Sequence, residues 1–303
     1  MPVLPIASTA GVVLAGLGTV VWSVSGASWA RSMAEAALLA FAALEASRLS
    51  RDGRIMLAAC VAVTAAALTL LPDPGAVLSK GLGAAAFAVG LFAAVGLLRD
   101  AAETSRTIQD CGVATVRQPP GRRFLALSIG SHLIGIVLNF GVLSLLGTMV
   151  MRGNTLDAAG GDVRIATIRK RRMMSAVLRG FTAVTAWSPL TIAFVVTQTS
   201  VPGLEWQRLV PIQALLAALL LGLSWIVDRL EFPRPPARPS GDAATDLRPL
   251  LRLLALAGGL TAASLVAAAA LGIPPAAGVM VAVPPAALLW LVAQYRRDGG
   301  RWP

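Results

Sequence analysis

The sequence predicts an all-α protein: a polytopic integral membrane bundle of about eight helical spans plus one re-entrant hairpin. The chain of 303 residues is 56% hydrophobic and only 14% charged, with a mean hydropathy of +0.73. A soluble domain carries about 25% charged residues. Long apolar runs recur along the whole chain, and Ala, Leu, Val and Gly dominate them, which is typical of closely packed membrane helices.

The distribution of Lys and Arg along the chain indicates membrane topology and not nucleic-acid binding. The formal net charge is +11, but the Lys and Arg residues lie between apolar runs and do not form one continuous basic face. Cytoplasmic ends of membrane spans collect basic residues in this way. Membrane lipids are therefore expected partners, and nucleic acid is not.

The spans and linkers divide the chain into four parts. Scaffold helices fill 1–98, and 99–230 holds a hairpin, a basic loop, a broken helix and a further span. A Pro-rich cytoplasmic linker fills 231–249, and two spans with a basic tail fill 250–303. The predicted spans are 4–24, 29–49, 55–71, 76–98, 177–199, 209–227, 250–272 and 276–295.

Five basic clusters predict the orientation. Of 26 basic residues, 21 lie in 48–54, 99–123, 152–172, 229–248 and 296–301. If the amino terminus is cytoplasmic, the first two clusters lie inside, as the positive-inside rule prefers. The later three lie inside only if the segment 124–151 enters and leaves on one side. We therefore expect both termini in the cytoplasm and a bacterial-type inner, or plasma, membrane.

The segment 124–151 is accordingly predicted to be a re-entrant hairpin, with a kinked single span as the alternative. At 28 residues it is long for one helix, and Gly130, Gly135, Gly141 and Gly147 offer places to turn. Two half-helices of about 12 residues, each ~18 Å long, would reach mid-bilayer. The expected tip is 136–141, which includes Asn139.

A second interruption is predicted within the span 177–199. Pro189 removes a backbone donor and clashes with the carbonyl four residues earlier, so polar backbone groups are freed there. Ser188, Thr185 and Thr191 supply hydroxyls beside the break. A simple proline kink is the structural alternative.

Two polar residues in the hairpin have alternative roles. Asn139 either coordinates an ion or solute at the tip or satisfies a neighbouring backbone group. His132, the only histidine, either couples a proton or is a neutral residue bonded to a carbonyl. No Ser/His/Asp set, metal-ligand cluster or nucleotide-binding loop is present, so no enzyme activity, metal or other cofactor is expected. Glu35 and Glu45 are predicted to form interfacial ion pairs with Arg31 and Arg48.

The order of these elements resembles the amino-terminal repeat of the ion transporter superfamily. This group includes dicarboxylate and citrate carriers, arsenite permeases and gluconate-type permeases. LNFGVLS (138–144) lies where the family has a Ser-Asn-Thr hairpin motif, and AWSPLT (186–191) lies where it has a broken helix. Asn139 and the Ser188-Pro189 pair match the family only in kind, and the full Ser-Asn-Thr triplet is missing. The resemblance covers about residues 55–230.

The resemblance implies a secondary carrier of a small anionic solute, coupled to sodium or protons. It implies a substrate and ion site at Asn139, Ser144, Thr185, Ser188, Pro189 and Thr191, with His132 in proton coupling. Such carriers have a second, inverted repeat, whereas 250–303 offers two plain spans. The site would then be completed in a homo-oligomer, or the chain is a shortened relative. The alternative function is a non-transporting membrane subunit whose basic loops dock a partner.

Overall fold

The structure is a computed structural model that describes residues 6–191, 193–194, 197, 201, 205–232 and 248–297. Those residues are mostly helical and contain no strand, so the predicted all-α class is confirmed. The helices are α1 (Ile6–Ser25), α2 (Ser28–Glu45), α3 (Arg51–Leu70), α4 (Pro74–Glu103), α5 (Arg106–Val116), α6 (Pro120–Leu138), α7 (Gly141–Gly153), α8 (Val163–Thr185), α9 (Trp206–Glu231), α10 (Arg248–Leu271) and α11 (Pro275–Arg297).

Six described helices are long and apolar enough to cross a membrane: α1, α3, α4, α9, α10 and α11. Many large apolar side chains on α3 and α9 are exposed, and no residue of α3 is buried. Large exposed apolar surfaces of this kind mark contact with lipid or with another protein. The described helices therefore have the character of an integral, multi-pass membrane protein.

Two of the eight predicted spans are not among these six helices. The predicted span 29–49 is α2, which ends at Glu45 and carries three charged residues. The predicted span 177–199 is not one helix either, because α8 ends at Thr185. Part of that segment, and most of the linker 231–249, lies outside the described residues, as do 298–303.

The chain forms two compact units, the first of which comprises 1–96 and 267–281. In this unit α1 and α2 are an antiparallel pair joined at Gly26, which has φ +67°. Small residues line the contact: a Cβ placed on Gly18 would lie 2.8 Å from the Ala30 carbonyl oxygen. Another small pair brings Gly16 against Gly90 of α4. Such contacts let helix backbones approach closely, as is usual in membrane bundles.

The charged residues of α2 are paired, as the sequence predicted. Arg31 Nε lies 2.9 Å from Glu35 Oε1, and Arg48 Nη1 lies 3.1 Å from Glu45 Oε1. Arg31 also donates to the Ser79 carbonyl oxygen at 2.7 Å. These bonds satisfy the charged groups on a helix that otherwise packs small apolar residues against α1.

The second unit comprises 97–266 and 282–303, and its centre is a bundle of α5, α6, α7 and α8. Two predicted loops are wrong in this region. The basic loop 152–176 is largely the first half of α8, which begins at Val163 because the Asp162 carboxylate caps it. The polar stretch 99–123 contains α5, an 11-residue helix. The basic residues of both stretches are therefore held on helices.

Candidate functional site

The candidate site is a pair of neighbouring helix interruptions, the first at Asn139. Helix α6 ends at Leu138 and α7 begins at Gly141, so the break lies inside the predicted tip, 136–141. Asn139 has φ +51°, the one positive value among the non-glycine residues described. Its ψ of −128° lies outside the left-handed helical region, in backbone space that non-glycine residues rarely adopt, and this strained geometry stops the helix there.

The contacts with α8 show that the chain reverses direction at this break. Along α6, Ser128 bonds to Ala176 and His132 to Gly180, so α6 runs parallel to α8. Along α7 the order is opposite. The Phe140 ring lies tilted against that of Phe181, Gly147 lies against Met174, and Asn154 donates to the Ala166 carbonyl. Helices α6 and α7 therefore form an antiparallel hairpin with its tip at 139–140.

Backbone contact fixes α6 against α8. A Cβ placed on Gly180 would lie 2.2 Å from the Ser128 carbonyl oxygen, a position that no side chain can occupy. The Ser131 hydroxyl donates to the Val177 carbonyl at 2.7 Å, and the Ser128 hydroxyl donates to the Ala176 carbonyl at 3.2 Å. These side chains are buried, so the two helices form one tightly joined pair.

The second interruption ends α8 at Thr185, four residues before Pro189. A continuing helix would need the missing Pro189 N–H to bond to the Thr185 carbonyl. Ser188 is fully buried, and its carbonyl accepts from both the N–H and the hydroxyl of Thr191. The Thr185 hydroxyl donates to the Thr182 carbonyl at 2.7 Å. The predicted break therefore exists, and its hydroxyls bond to the local backbone.

His132 connects the hairpin to the second interruption. Its Nδ1 lies 3.3 Å from the Gly180 carbonyl oxygen, and Trp187 Nε1–H donates to its Nε2 at 3.1 Å. A carbonyl accepts only, and an indole N–H donates only, so these partners assign a neutral imidazole protonated on Nδ1. This is the bonded, neutral arrangement that the sequence offered as the alternative to proton coupling.

The tip itself presents Asn139 and Phe140. Phe140 is 67% exposed, and its ring centroid lies 5.1 Å from that of the buried Phe181. The side-chain amide of Asn139 makes no hydrogen bond with the part of the chain that the structure describes. The Ser144 hydroxyl donates to the Gly141 carbonyl at 2.9 Å and faces outward from α7. The two interruptions are therefore joined by the contact of the Phe140 and Phe181 rings and by His132, which bonds to the Gly180 carbonyl and to Trp187.

The structure adds Arg99 and Glu103, which the sequence analysis placed in a cytoplasmic loop. The two side chains form an ion pair of 2.7 Å on the last turns of α4. A Cβ placed on Gly141 would lie 3.3 Å from Glu103 Oε1 and 3.5 Å from Arg99 Nε. The spacing of four residues signals a helical ion pair, but nothing local signals its contact with the hairpin tip.

Helix α5 separates the ends of the predicted 99–123 cluster. It starts just after Glu103, and at its other end Val116 lies against Gly153, the last residue of α7. Arg99 is thus at the tip of the hairpin, whereas Arg122 and Arg123 are at its base. The stretch 99–123 is therefore not a single loop, because α5 places its basic residues at both ends of the hairpin.

Two sets of contacts show where the tip lies along α9 and beside the ends of α4 and α11. Arg172 bonds to Asp228 and Arg179 to the Ser224 carbonyl, so α8 and α9 are antiparallel. From Arg172 to the end of α8 is about 20 Å, which is half of the ~39 Å length of α9. The tip is therefore level with the middle of α9. The last turns of α4 and α11 meet at the same level, where Gln294 donates to the Ala101 carbonyl at 2.7 Å.

Comparison with known proteins gives no match: no family model, no curated protein and no solved structure is similar to this chain.

Proposed function

We propose that the protein is a membrane secondary carrier of a small anionic solute, driven by a sodium or proton gradient. One observation carries the proposal: the helix interruption at Asn139 lies beside the interruption that follows Thr185, level with the middle of the apolar helix α9. Interrupted helices at membrane depth are tolerated where they are enclosed by protein or line a water-filled path. The resemblance to the ion transporter superfamily belongs to this proposal.

Helix polarity at the tip suits a coupling cation. Both α6 and α8 end there, so their last carbonyl groups and the negative ends of two helix dipoles point toward the tip. Carbonyl oxygens of this kind bind sodium in transporters with discontinuous helices. Because α6 and α8 are joined by backbone contact at Gly180, their two ends are held together as one cation-binding edge.

The same tip suits the carboxylate of a solute. Helix α7 begins at Gly141, so the positive end of its dipole and its first N–H groups lie there. Arg99 supplies a guanidinium beside Gly141, and Asn139 supplies an uncommitted amide. The Glu103 carboxylate holds Arg99 in the resting arrangement. A solute carboxylate would replace Glu103 on Arg99 and bridge to the tip.

His132 would act through its bond with Trp187. Protonation of Nε2 would turn this acceptor into a donor that faces the Trp187 N–H. The hydrogen bond would be lost, and the Trp187 indole would move away. Trp187 belongs to the interruption after α8, so this step would move the chain beside the path. Alternating access would carry α6 and α8 together, because Gly180 leaves no space for them to slide.

Substitutions at the tip test this proposal. Asn139→Gly keeps the positive φ without strain and removes only the amide, so it separates the chemical role of Asn139 from the conformational one. Asn139→Gly and Arg99→Gln are each expected to lower uptake about tenfold, because each removes a hydrogen bond to a charged group. Ser188→Ala is expected to have a similar effect through the break. The measurement is uptake of labelled small mono-, di- and tricarboxylates into liposomes, driven by a sodium or a proton gradient.

The matched control is Arg208→Gln, which removes another arginine from an i,i+3 ion pair that is exposed on both sides. Its uptake should equal that of the unchanged protein. A folded protein that takes up none of these solutes, under either gradient, would contradict the carrier proposal. That outcome would favour the non-transporting membrane subunit.

A further inference from the structure

A second polar site lies at the base of the hairpin, about 20 Å from the tip. It is a cavity of about 120 Å³ where α8 passes the last turns of α9. Three arginines of α8 line it, together with a half-buried serine hydroxyl. The lining residues used below are Arg171, Arg172, Ser175, Arg179 and Asp228. None of them takes part in the tip described above.

Among the residues that the structure describes, only one of the three arginines forms an ion pair with two hydrogen bonds. Arg172 binds the buried Asp228 carboxylate with two bonds of 2.7 and 2.6 Å. Arg179 donates through Nη1 to the Ser224 carbonyl at 3.2 Å, which uses one of its five N–H groups. Arg171 is 79% exposed, and its contact with Glu231 is long, at 3.9 Å. Arg171 and Arg179 therefore retain donors that can meet in the cavity.

Positive charge is concentrated around this cavity. Burial, together with the nearby guanidinium groups of Arg169 and Arg172, lowers the pKa of Arg123 to about 10. Three arginines line the cavity with two carboxylates among the described residues, the buried Asp228 and the partly exposed Glu231, so positive charge is in excess. A doubly accepting anion would relieve this repulsion and would bind the planar guanidinium groups in their preferred geometry.

The cavity also lies where a lipid headgroup would be. Arg229 stacks over the Trp225 ring at 4.5 Å, one turn from Asp228, at the end of the apolar helix α9. Tryptophan and arginine collect at the boundary between the hydrocarbon and the headgroups of a bilayer. Basic pockets between membrane helices at this level bind anionic headgroups.

We propose that this cavity binds a phosphate group, supplied by the headgroup of an anionic glycerophospholipid. Arg171 and Arg179 hold the phosphate oxygens, Ser175 donates its hydroxyl, and Arg172 remains bound to Asp228. A water-soluble phosphate ester presents the same chemistry, so the test separates the two sources. The proposal does not rest on transport, because it concerns the base of the hairpin alone.

The test compares the full-length protein with a double variant, Arg171→Gln with Arg179→Gln. Binding of phosphatidylglycerol is measured by native mass spectrometry from mixed micelles, with phosphatidylcholine as the zwitterionic reference. Each arginine is expected to contribute about fivefold, so the dissociation constant should rise about 25-fold. The control, Arg208→Gln with Arg252→Gln, removes two exposed arginines elsewhere and should change it by less than about twofold. Ser175→Leu fills the cavity without changing charge and should also abolish binding.

Each outcome decides the proposal. Loss of phosphatidylglycerol in the double variant and in Ser175→Leu, but not in the control, supports a lipid site. If glycerol 3-phosphate binds as tightly as the lipid and with the same pattern of loss, the phosphate site stands and its ligand is soluble. If the control loses as much as the double variant, or if the filled cavity still binds, the site does not exist.

Discussion

Replacing Gly180 with leucine is expected to destabilise the protein by more than about 3 kcal/mol, because overpacking a close contact forces backbone shifts. The added Cβ alone would lie 2.2 Å from the Ser128 carbonyl oxygen, and backbone cannot swing aside as a side chain can. Helices α6 and α8 would separate, and the bonds of Ser128, Ser131 and His132 to α8 would break. Thermal unfolding of the purified protein in detergent measures this loss.

Gly222→Leu is the matched control for this variant. Gly222 lies in α9, and a Cβ there would meet nothing within 4 Å. The same substitution should therefore leave the melting temperature unchanged or raise it slightly, since glycine inside a helix costs about 1 kcal/mol relative to alanine. Equal melting temperatures for the two variants would show that the α6–α8 contact is not tight.

The second large effect is expected at Asp228. Removing one partner of a buried ion pair costs about 3–5 kcal/mol, because the other charge is left uncompensated. The Asp228 side chain is 3% exposed and that of Arg172 is 21% exposed, so Asp228→Ala should fall near the lower end of that range. Chemical unfolding of the protein in mixed micelles gives the difference in free energy.

Two further variants define what this ion pair contributes. Asp228→Leu combined with Arg172→Met should recover most of the loss, since apolar replacements of similar size avoid the buried charge. Glu205→Ala breaks a pair whose side chains are 60% and 83% exposed, and should cost less than about 1 kcal/mol. If Asp228→Leu with Arg172→Met is as unstable as Asp228→Ala, packing around α9, and not the charge, determines the effect.

The helix interruptions could be predicted from sequence because each has a local cause. The length of the segment 124–151 and the spacing of its glycines indicated a break within 136–141. The missing N–H of Pro189 indicated the break that follows Thr185. The ion pairs of Glu35 and Glu45 were also predictable, because their partners are within four residues.

The remaining features depend on contacts that sequence spacing does not contain. Helix α8 starts at Val163, inside a basic run that hydropathy assigns to a loop, because the Asp162 carboxylate caps its first turn. Its buried residues, which pack against α6, begin only at Met173. Arg99 lies beside Gly141 at the hairpin tip, although Gly141 comes 42 residues later in the chain. Helix α5 makes this contact possible, because it runs from the tip of the hairpin to its base. Sequence analysis missed α5 because the helix has only 11 residues and lies in a polar stretch.

The position of the hairpin relative to the bilayer is the central claim. If the bilayer is centred on the middle of α9, the tip at Phe140 is at mid-depth and the base is at the surface, which the charge pattern predicts to be cytoplasmic. If the bilayer follows the ends of α4 and α11, the tip is at the surface and the hairpin projects into the cytoplasm. For a thiol test, burial raises the pKa of the native Cys111 to about 12, whereas Cys60 is exposed on α3 and is first replaced by serine.

The most direct measurement is labelling of single cysteines at positions 122, 140 and 155 with a bulky, membrane-impermeant maleimide, applied separately to each side of the membrane. The account predicts that Arg122→Cys and Thr155→Cys are labelled only from the cytoplasmic side and that Phe140→Cys is labelled from neither. Labelling of Arg122→Cys and Thr155→Cys from opposite sides, or ready labelling of Phe140→Cys from the cytoplasm, would contradict a re-entrant hairpin.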